Sequence, residues 1–251
     1  MLADPPPFPL ENRHRCRIVS GQKGVSTPKP PSLHDPWRGE ATMRVTFAHG
    51  LWSSTDSSKA DYMRSLGWDV MALDMRAHGW NQQQQTQVVL DAIDQHGPFD
   101  LLVGSSFGGL ATANAAAQRP DLNLKLVLLA PAFGYHDLIH DQLGPEGMEA
   151  WKTKGTHTFE PLGWDDPVVL PYGFVEDAAA VSWPELRHPT AILHGIKDDV
   201  VPLVNSERAS EGRANVHLEV VDDDHRLHGS LDRLAHMAAV VLDAPSHPPQ
   251  D

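Results

Sequence analysis

From Met43 onward, apolar and polar positions fall into a regular alternation of short segments; before Met43 they do not. Strand-length apolar runs occur at MRVTFAH (43–49), WDVMALD (68–74), FDLLVGS (99–105), LKLVLLA (124–130), TAILHG (190–195) and VHLEVVD (216–222). Between them lie stretches that read as helices: SSKADYMRSLG (57–67), QQQQTQVVLDAIDQHG (82–97), SFGGLATANAAAQR (106–119), VNSERASE (204–211) and HGSLDRLAHMAAVVLD (228–243). Gly67 ends the first helix, Asn81 is placed to cap the second, and Pro120 stops the third. Strands alternating with helices predict an α/β fold, a mostly parallel sheet of about six strands flanked by helices. Strands that are apolar at successive positions are what burial on both faces requires. The glutamine run at 82–87 reads as a solvated helix face.

Fifty-nine residues lie between the end of the fourth strand, Ala130, and the start of the fifth, Thr190. A structureless loop of that length is improbable in a compact domain. We expect a small cap insertion at about 135–180, with short helices near 145–154 and 174–180. It leaves the sheet at a strand's carboxyl end, where open α/β sheets place their sites. The first 42 residues hold 8 of the 21 prolines and no periodic run, so they read as a disordered or loosely packed extension. APSHPPQD (244–251) reads as a second proline-rich tail, leaving 43–243 as the folded domain.

Composition narrows the function. The net charge of −13 argues against a nucleic-acid partner, because phosphate binding needs a basic surface. No apolar run reaches the roughly 20 residues of a membrane span, and the N-terminus lacks an apolar signal segment. The single cysteine, Cys16, excludes an intrachain disulfide and fits a cytoplasmic protein. Neither a metal-ligand cluster nor a dinucleotide fingerprint is legible, so no cofactor is expected. Oligomeric state is not encoded in any pattern we can read.

Chemistry concentrates at the strand ends. GSSFGG (104–109) follows the third apolar run and opens a helix. A serine hydroxyl is a weak nucleophile and must project from a sharp strand-to-helix turn toward a base. The positions two before and two after it come close to other backbone and favour glycine. Around Ser106 these are Gly104 and Gly108; around Ser105 they are Val103 and Phe107. Ser106 is therefore the predicted nucleophile. His225, just past the last strand, is the predicted base, with His228 as its local rival. Asp198, past the penultimate strand, is the predicted orienting acid, ahead of Asp199 and of Asp222, Asp223 and Asp224.

Backbone N–H groups of Phe107 and Leu51 are the predicted oxyanion donors, with Trp52 the alternative to Leu51. Trp52 and His49 flank them as candidate substrate-contacting residues, His49 also serving to hold its loop. Asp74–Gly79 reads as a structural loop. His157, His188 and His247 read as exposed or capping residues. Trp151, Phe159, Trp164, Tyr172 and Phe174 are candidates for either the cap's core or a pocket wall.

HGLW (49–52), DMRAHG (74–79), GSSFGG (104–109), HGIKDDVVP (194–202) and DDDHRL (222–227) together resemble the α/β-hydrolase superfamily. The chain order Ser106, Asp198, His225 is that superfamily's order. DHRL and LPYGFVEDA (170–178) are similar to the small serine hydrolases of the YqiA/ABHD10-like esterase group. The resemblance implies cofactor-free hydrolysis of carboxylic esters or thioesters of small molecules. An acyltransferase or C–C hydrolase would use the same residues; a non-catalytic binding module would have no need of them.

Overall fold

The computed structural model describes residues 42–244, apart from residue 177. The extension and tail read from the sequence therefore lie, but for Thr42 and Ala244, outside the described residues.

The elements follow the periodicity closely. Strand β1 (Arg44–Ala48) leads through a loop to helix α1 (Ser58–Ser65), then β2 (Asp69–Leu73) and α2 (Gln82–His96). Next come β3 (Leu101–Ser105), α3 (Phe107–Ala117) and β4 (Leu126–Leu129). Asn81 caps α2 as expected: its side chain accepts from Gln84 N–H, and the Gln84 side chain accepts from Asn81 N–H, at 2.8 and 3.2 Å. The glutamine run is not uniformly solvated. Gln82 and Gln85 are buried, and their amides donate to the carbonyls of Phe107 and Trp80. A buried amide persists where it can donate in this way.

Between β4 and Thr190 the structure is richer than the expectation of two short helices. Helix α4 spans Tyr135–Lys154 and is kinked at Gly144, which has φ 64° and precedes Pro145. An antiparallel hairpin follows, β5 (Thr156–Phe159) with β6 (Val168–Pro171), then α5 (Gly173–Glu176) and α6 (Ala178–Val181). The hairpin and the first half of α4 depart from that expectation. Their four-residue strands are too short to carry a period, and the buried Trp151 ring organises them by packing on Phe159, Tyr172 and Phe174. The chain then returns through β7 (Thr190–Gly195), α7 (Leu203–Ser210) and β8 (Val216–Val221). The last helical stretch opens as a 3-10 turn over His228–Arg233 and becomes α8 over Leu234–Leu242.

The six sheet strands are all parallel in the order β2-β1-β3-β4-β7-β8. Two apolar layers enclose them. Met63 of α1 and Leu234, Met237 and Val241 of α8 belong to one; Val89 and Ile93 of α2 and Leu110 of α3 belong to the other. Each such fully buried side chain contributes roughly 2 kcal/mol of transfer free energy. Chain direction across the sheet reverses between β1 and β3, so the loops leaving these neighbours diverge and open a crevice at their carboxyl ends.

Candidate active site

Ser106 sits in that crevice. Its backbone has φ 54° and ψ −120°, an uncommon conformation for a residue other than glycine. Strain of this kind persists only where the surroundings enforce it. Here β3 ends at Ser105, Ser106 N–H donates to Leu129 O of β4 at 2.8 Å, and α3 begins at once. The glycines around it are required by close approach. A Cβ on Gly104 would lie 2.7 Å from Gly108 O and Gly109 Cα, and one on Gly108 would lie 2.3 Å from His49 O. The predicted crowding across the turn is thus present at Gly104, whereas at Gly108 the obstacle is the end of β1.

His225 and Asp198 come to Ser106 from the ends of β8 and β7. His225 Nε2 is 3.0 Å from Ser106 Oγ, and its Nδ1 is 2.7 Å from Asp198 Oδ2. A carboxylate only accepts, so Nδ1 carries the hydrogen and Nε2 presents its lone pair to the serine hydroxyl. The Asp198 side chain is fully buried. Burial by itself would raise its carboxyl, but hydrogen bonds from His194, His225 and Val201 N–H hold it well below the usual carboxylate range. Its Oδ1 accepts from Val200 N–H and Val201 N–H at 2.9 and 2.8 Å, so the same residue also shapes the turn after β7. Neither Asp199 nor His228 joins this series; His228 instead meets Ser58 Oγ at 3.2 Å.

A second histidine, not among the sequence candidates, reaches the same carboxylate. His194, the penultimate residue of β7, is fully buried, with Nε2 2.9 Å from Val201 O and 3.2 Å from Asp198 Oδ2. Both are acceptors, so Nε2 carries its hydrogen. Nδ1 then accepts from the Ser206 hydroxyl at 2.7 Å. Strand position alone marks His194 as buried; nothing local marks it as a partner of Asp198.

The loop after β1 lies against the serine, since a Cβ on Gly50 would be 3.3 Å from Ser106 Cβ. Neither Leu51 N–H nor Phe107 N–H has an acceptor among the described residues, and both residues line the cavity. Trp52 lines it too. His49 does not: it is buried beneath the loop, with Nδ1–H donating to Gly50 O at 2.8 Å. Its place as a substrate-contacting residue is corrected on that ground. Burial lowers its pKa, and the bond to Gly50 opposes this.

Two further residues hold the loop. Arg76 donates to Ser53 O at 2.9 Å and Leu51 O at 3.5 Å, with its guanidinium over the Trp80 and Trp164 rings. Trp164, from the hairpin turn, donates Nε1–H to Trp52 O at 3.2 Å. The Asp74–Gly79 loop is thus structural, as read, but it supports the site directly.

The cavity above Ser106 has a volume of about 480 Å³. Tyr135, Leu138, Ile139, Phe159, Leu162 and Phe174 give it an apolar wall from the segment between β4 and β7. Of the aromatics proposed for that wall, Trp151 belongs to the cap's core, and Trp164 and Tyr172 do not reach the cavity. His188 is not exposed either; it is buried, its Nε2 3.1 Å from Ala116 O. His247 lies outside the described residues.

Comparison with known proteins follows the same lines. A family model described as an uncharacterised protein family (UPF0227) matches residues 44–241. The human mitochondrial palmitoyl-protein thioesterase ABHD10 is 26% identical over 240 residues, covering 86% of this chain and 78% of that protein. Mouse serine hydrolase BPHL is 25% identical over 238 residues, covering 78% of this chain and 81% of that protein. Among solved structures, mouse alpha/beta hydrolase domain-containing protein 10 superposes with a TM-score of 0.67 at 22% identity, over 81% of this chain and 90% of that one.

Proposed function

The chain belongs to the uncharacterised protein family UPF0227 and is a hydrolase of the α/β-hydrolase fold, and on that premise we propose that it cleaves esters or thioesters through an acyl-enzyme on Ser106. The observation that carries this reading is the Ser106–His225–Asp198 series, with its tautomer already set for proton abstraction.

His225 Nε2 takes the Ser106 proton as Oγ attacks the carbonyl carbon. The developing oxyanion accepts from Leu51 N–H and Phe107 N–H, the latter at the start of α3, where the helix dipole also favours negative charge. His225 then returns its proton to the departing alcohol or thiol. A water adds to the acyl carbon as His225 takes its proton, and His225 returns that proton to Ser106 Oγ as the acyl–oxygen bond breaks and the acyl group leaves as the carboxylic acid. Asp198 holds the imidazole in place and stabilises its cation.

The apolar wall supports an apolar acyl group, and the thioesterase name of the human relative supports thioesters beside oxygen esters. No helix among the described residues is long and apolar enough to cross a membrane. We place the enzyme in the cytoplasm on its cysteine-poor composition. The relative named as mitochondrial supplies the alternative, and cell fractionation separates the two.

The test is direct. A fluorophosphonate should add to Ser106, located by mass spectrometry of the labelled peptide, and Ser106→Ala should lower kcat on a p-nitrophenyl ester by roughly a thousandfold or more. Ester turnover by Ser106→Ala within tenfold of the parent would sink the reading.

A further inference from the structure

The cavity over Ser106 is not uniformly apolar. A second part of its wall is formed by Ser57 and Lys59 at the start of α1 and by Arg226 and His228 after His225. These segments touch, since Ser58 Oγ meets His228 Nε2 at 3.2 Å. Among the described residues no aspartate or glutamate lines the cavity, in a chain with 33 acidic residues against 20 Lys and Arg. The described charged side chains on this wall are Lys59 and Arg226.

Lys59 and Arg226 form no ion pair among the described residues, whereas Arg44, Arg64, Arg119, Arg187, Lys197 and Arg233 do. Asp224 and Asp223 are the opposing charges that act on Lys59. Asp223 accepts from the Ser230 hydroxyl and Asp224 N–H, and Asp224 accepts from Arg226 N–H, each at 2.8 Å. Burial lowers Lys59 to about 8, with Asp224 and Asp223 opposing that shift and Arg226 adding to it. A half-buried ammonium lacking a partner gains by meeting an anion.

Mechanism says which part of a substrate meets this wall. His225 hands its proton to the leaving group, so that group departs on the His225 side, and Arg226 is the next residue. We propose, building on the acyl-transfer reading above, that the leaving-group half of the substrate bears a carboxylate or phosphate bound by Lys59 and Arg226. The acyl half lies along Leu138, Ile139, Phe159 and Phe174.

Matched octanoyl thioesters test this. One pair is 3-mercaptopropionate against its neutral amide; the other is 4′-phosphopantetheine against pantetheine. Each rate is normalised to that thioester's own hydroxide-catalysed hydrolysis. At low salt the charged member of at least one pair should have a kcat/KM about tenfold higher, carried mainly by KM. Lys59→Met and Arg226→Gln should each shrink that ratio to threefold or less, as should 0.5 M NaCl. A ratio confined to the first pair identifies a carboxylate, and one confined to the second a phosphate. Ratios near one or below in both pairs for the parent enzyme overturn the proposal, with no variant needed. Ratios that survive both substitutions also overturn it. Failure to hydrolyse any of the four, with no fluorophosphonate label on Ser106, overturns the acyl-transfer reading instead.

Discussion

Ser106 and Asp198 illustrate two ways in which a single residue is committed. Ser106 is held at φ 54° because β3 and α3 leave no room for a longer turn, and Gly104 and Gly108 clear the space. Asp198 is held by four hydrogen-bond donors, two from the backbone and two from histidines. His194 is the positioning residue of this group. It touches neither Ser106 nor the cavity, yet it draws on the same Asp198 oxygen that orients His225. Replacing His194 with Phe, which removes the Nε2–H, should lower kcat roughly tenfold with KM little changed, in the range of supporting residues. Fluorophosphonate labelling of Ser106 should slow in proportion. Unchanged kcat and labelling in a variant whose circular dichroism matches the parent would remove the positioning role.

At the scale of elements, the loop after β1 depends on partners from two other segments. Arg76, after β2, ties down the carbonyls of Leu51 and Ser53; Trp164, on the hairpin, ties down that of Trp52. Donors aimed at an oxyanion work only when held still. Arg76→Met should therefore lower kcat about tenfold while changing KM for a short-chain ester little, and slow fluorophosphonate labelling in proportion. Equal kcat in Arg76→Met and parent would remove the loop-holding role. The legibility of elements was uneven for physical reasons. Long amphipathic or fully apolar runs such as α2 and β7 announce themselves. The β5–β6 hairpin does not, because its four-residue strands take their stability from Trp151 rather than from a pattern. The burial of Gln82 and Gln85 was equally silent, since a glutamine is polar whether it meets water or a carbonyl.

For the whole molecule, buried histidines set a limit at mild acid. Burial lowers the pKa of His188 and of His49, against the hydrogen bonds each makes to backbone carbonyls. With a folded value below the unfolded one, the unfolded chain binds more protons as pH falls. Their contribution is present above the unfolded value of about 6.5 and is lost as pH drops through the lower folded values. Melting temperature should thus decline from pH 7 toward pH 5, and His188→Gln should flatten the decline. The net charge of −13 works the other way, since acid relieves self-repulsion, but it is common to both proteins and cancels in the comparison. Identical slopes for the two by differential scanning fluorimetry would assign the decline elsewhere.

What the amino-acid sequence determined by itself is what short-range sterics decide. The strand that ends at Ser105, the helix that starts next to it, and the glycines that select Ser106 over Ser105 all lie within a few residues of one another. The order of residues at successive strand ends also pointed to Asp198 and His225. The tertiary structure alone decided which groups share a carboxylate, which carbonyls Arg76 and Trp164 hold, and which wall of the cavity is apolar or cationic. Ser106 and His225 are 119 residues apart, and His225 and Asp198 are 27 apart. Contacts at such separations depend on the order of strands in the sheet and on the packing of the β4–β7 segment above it. No local pattern of polar and apolar positions encodes either.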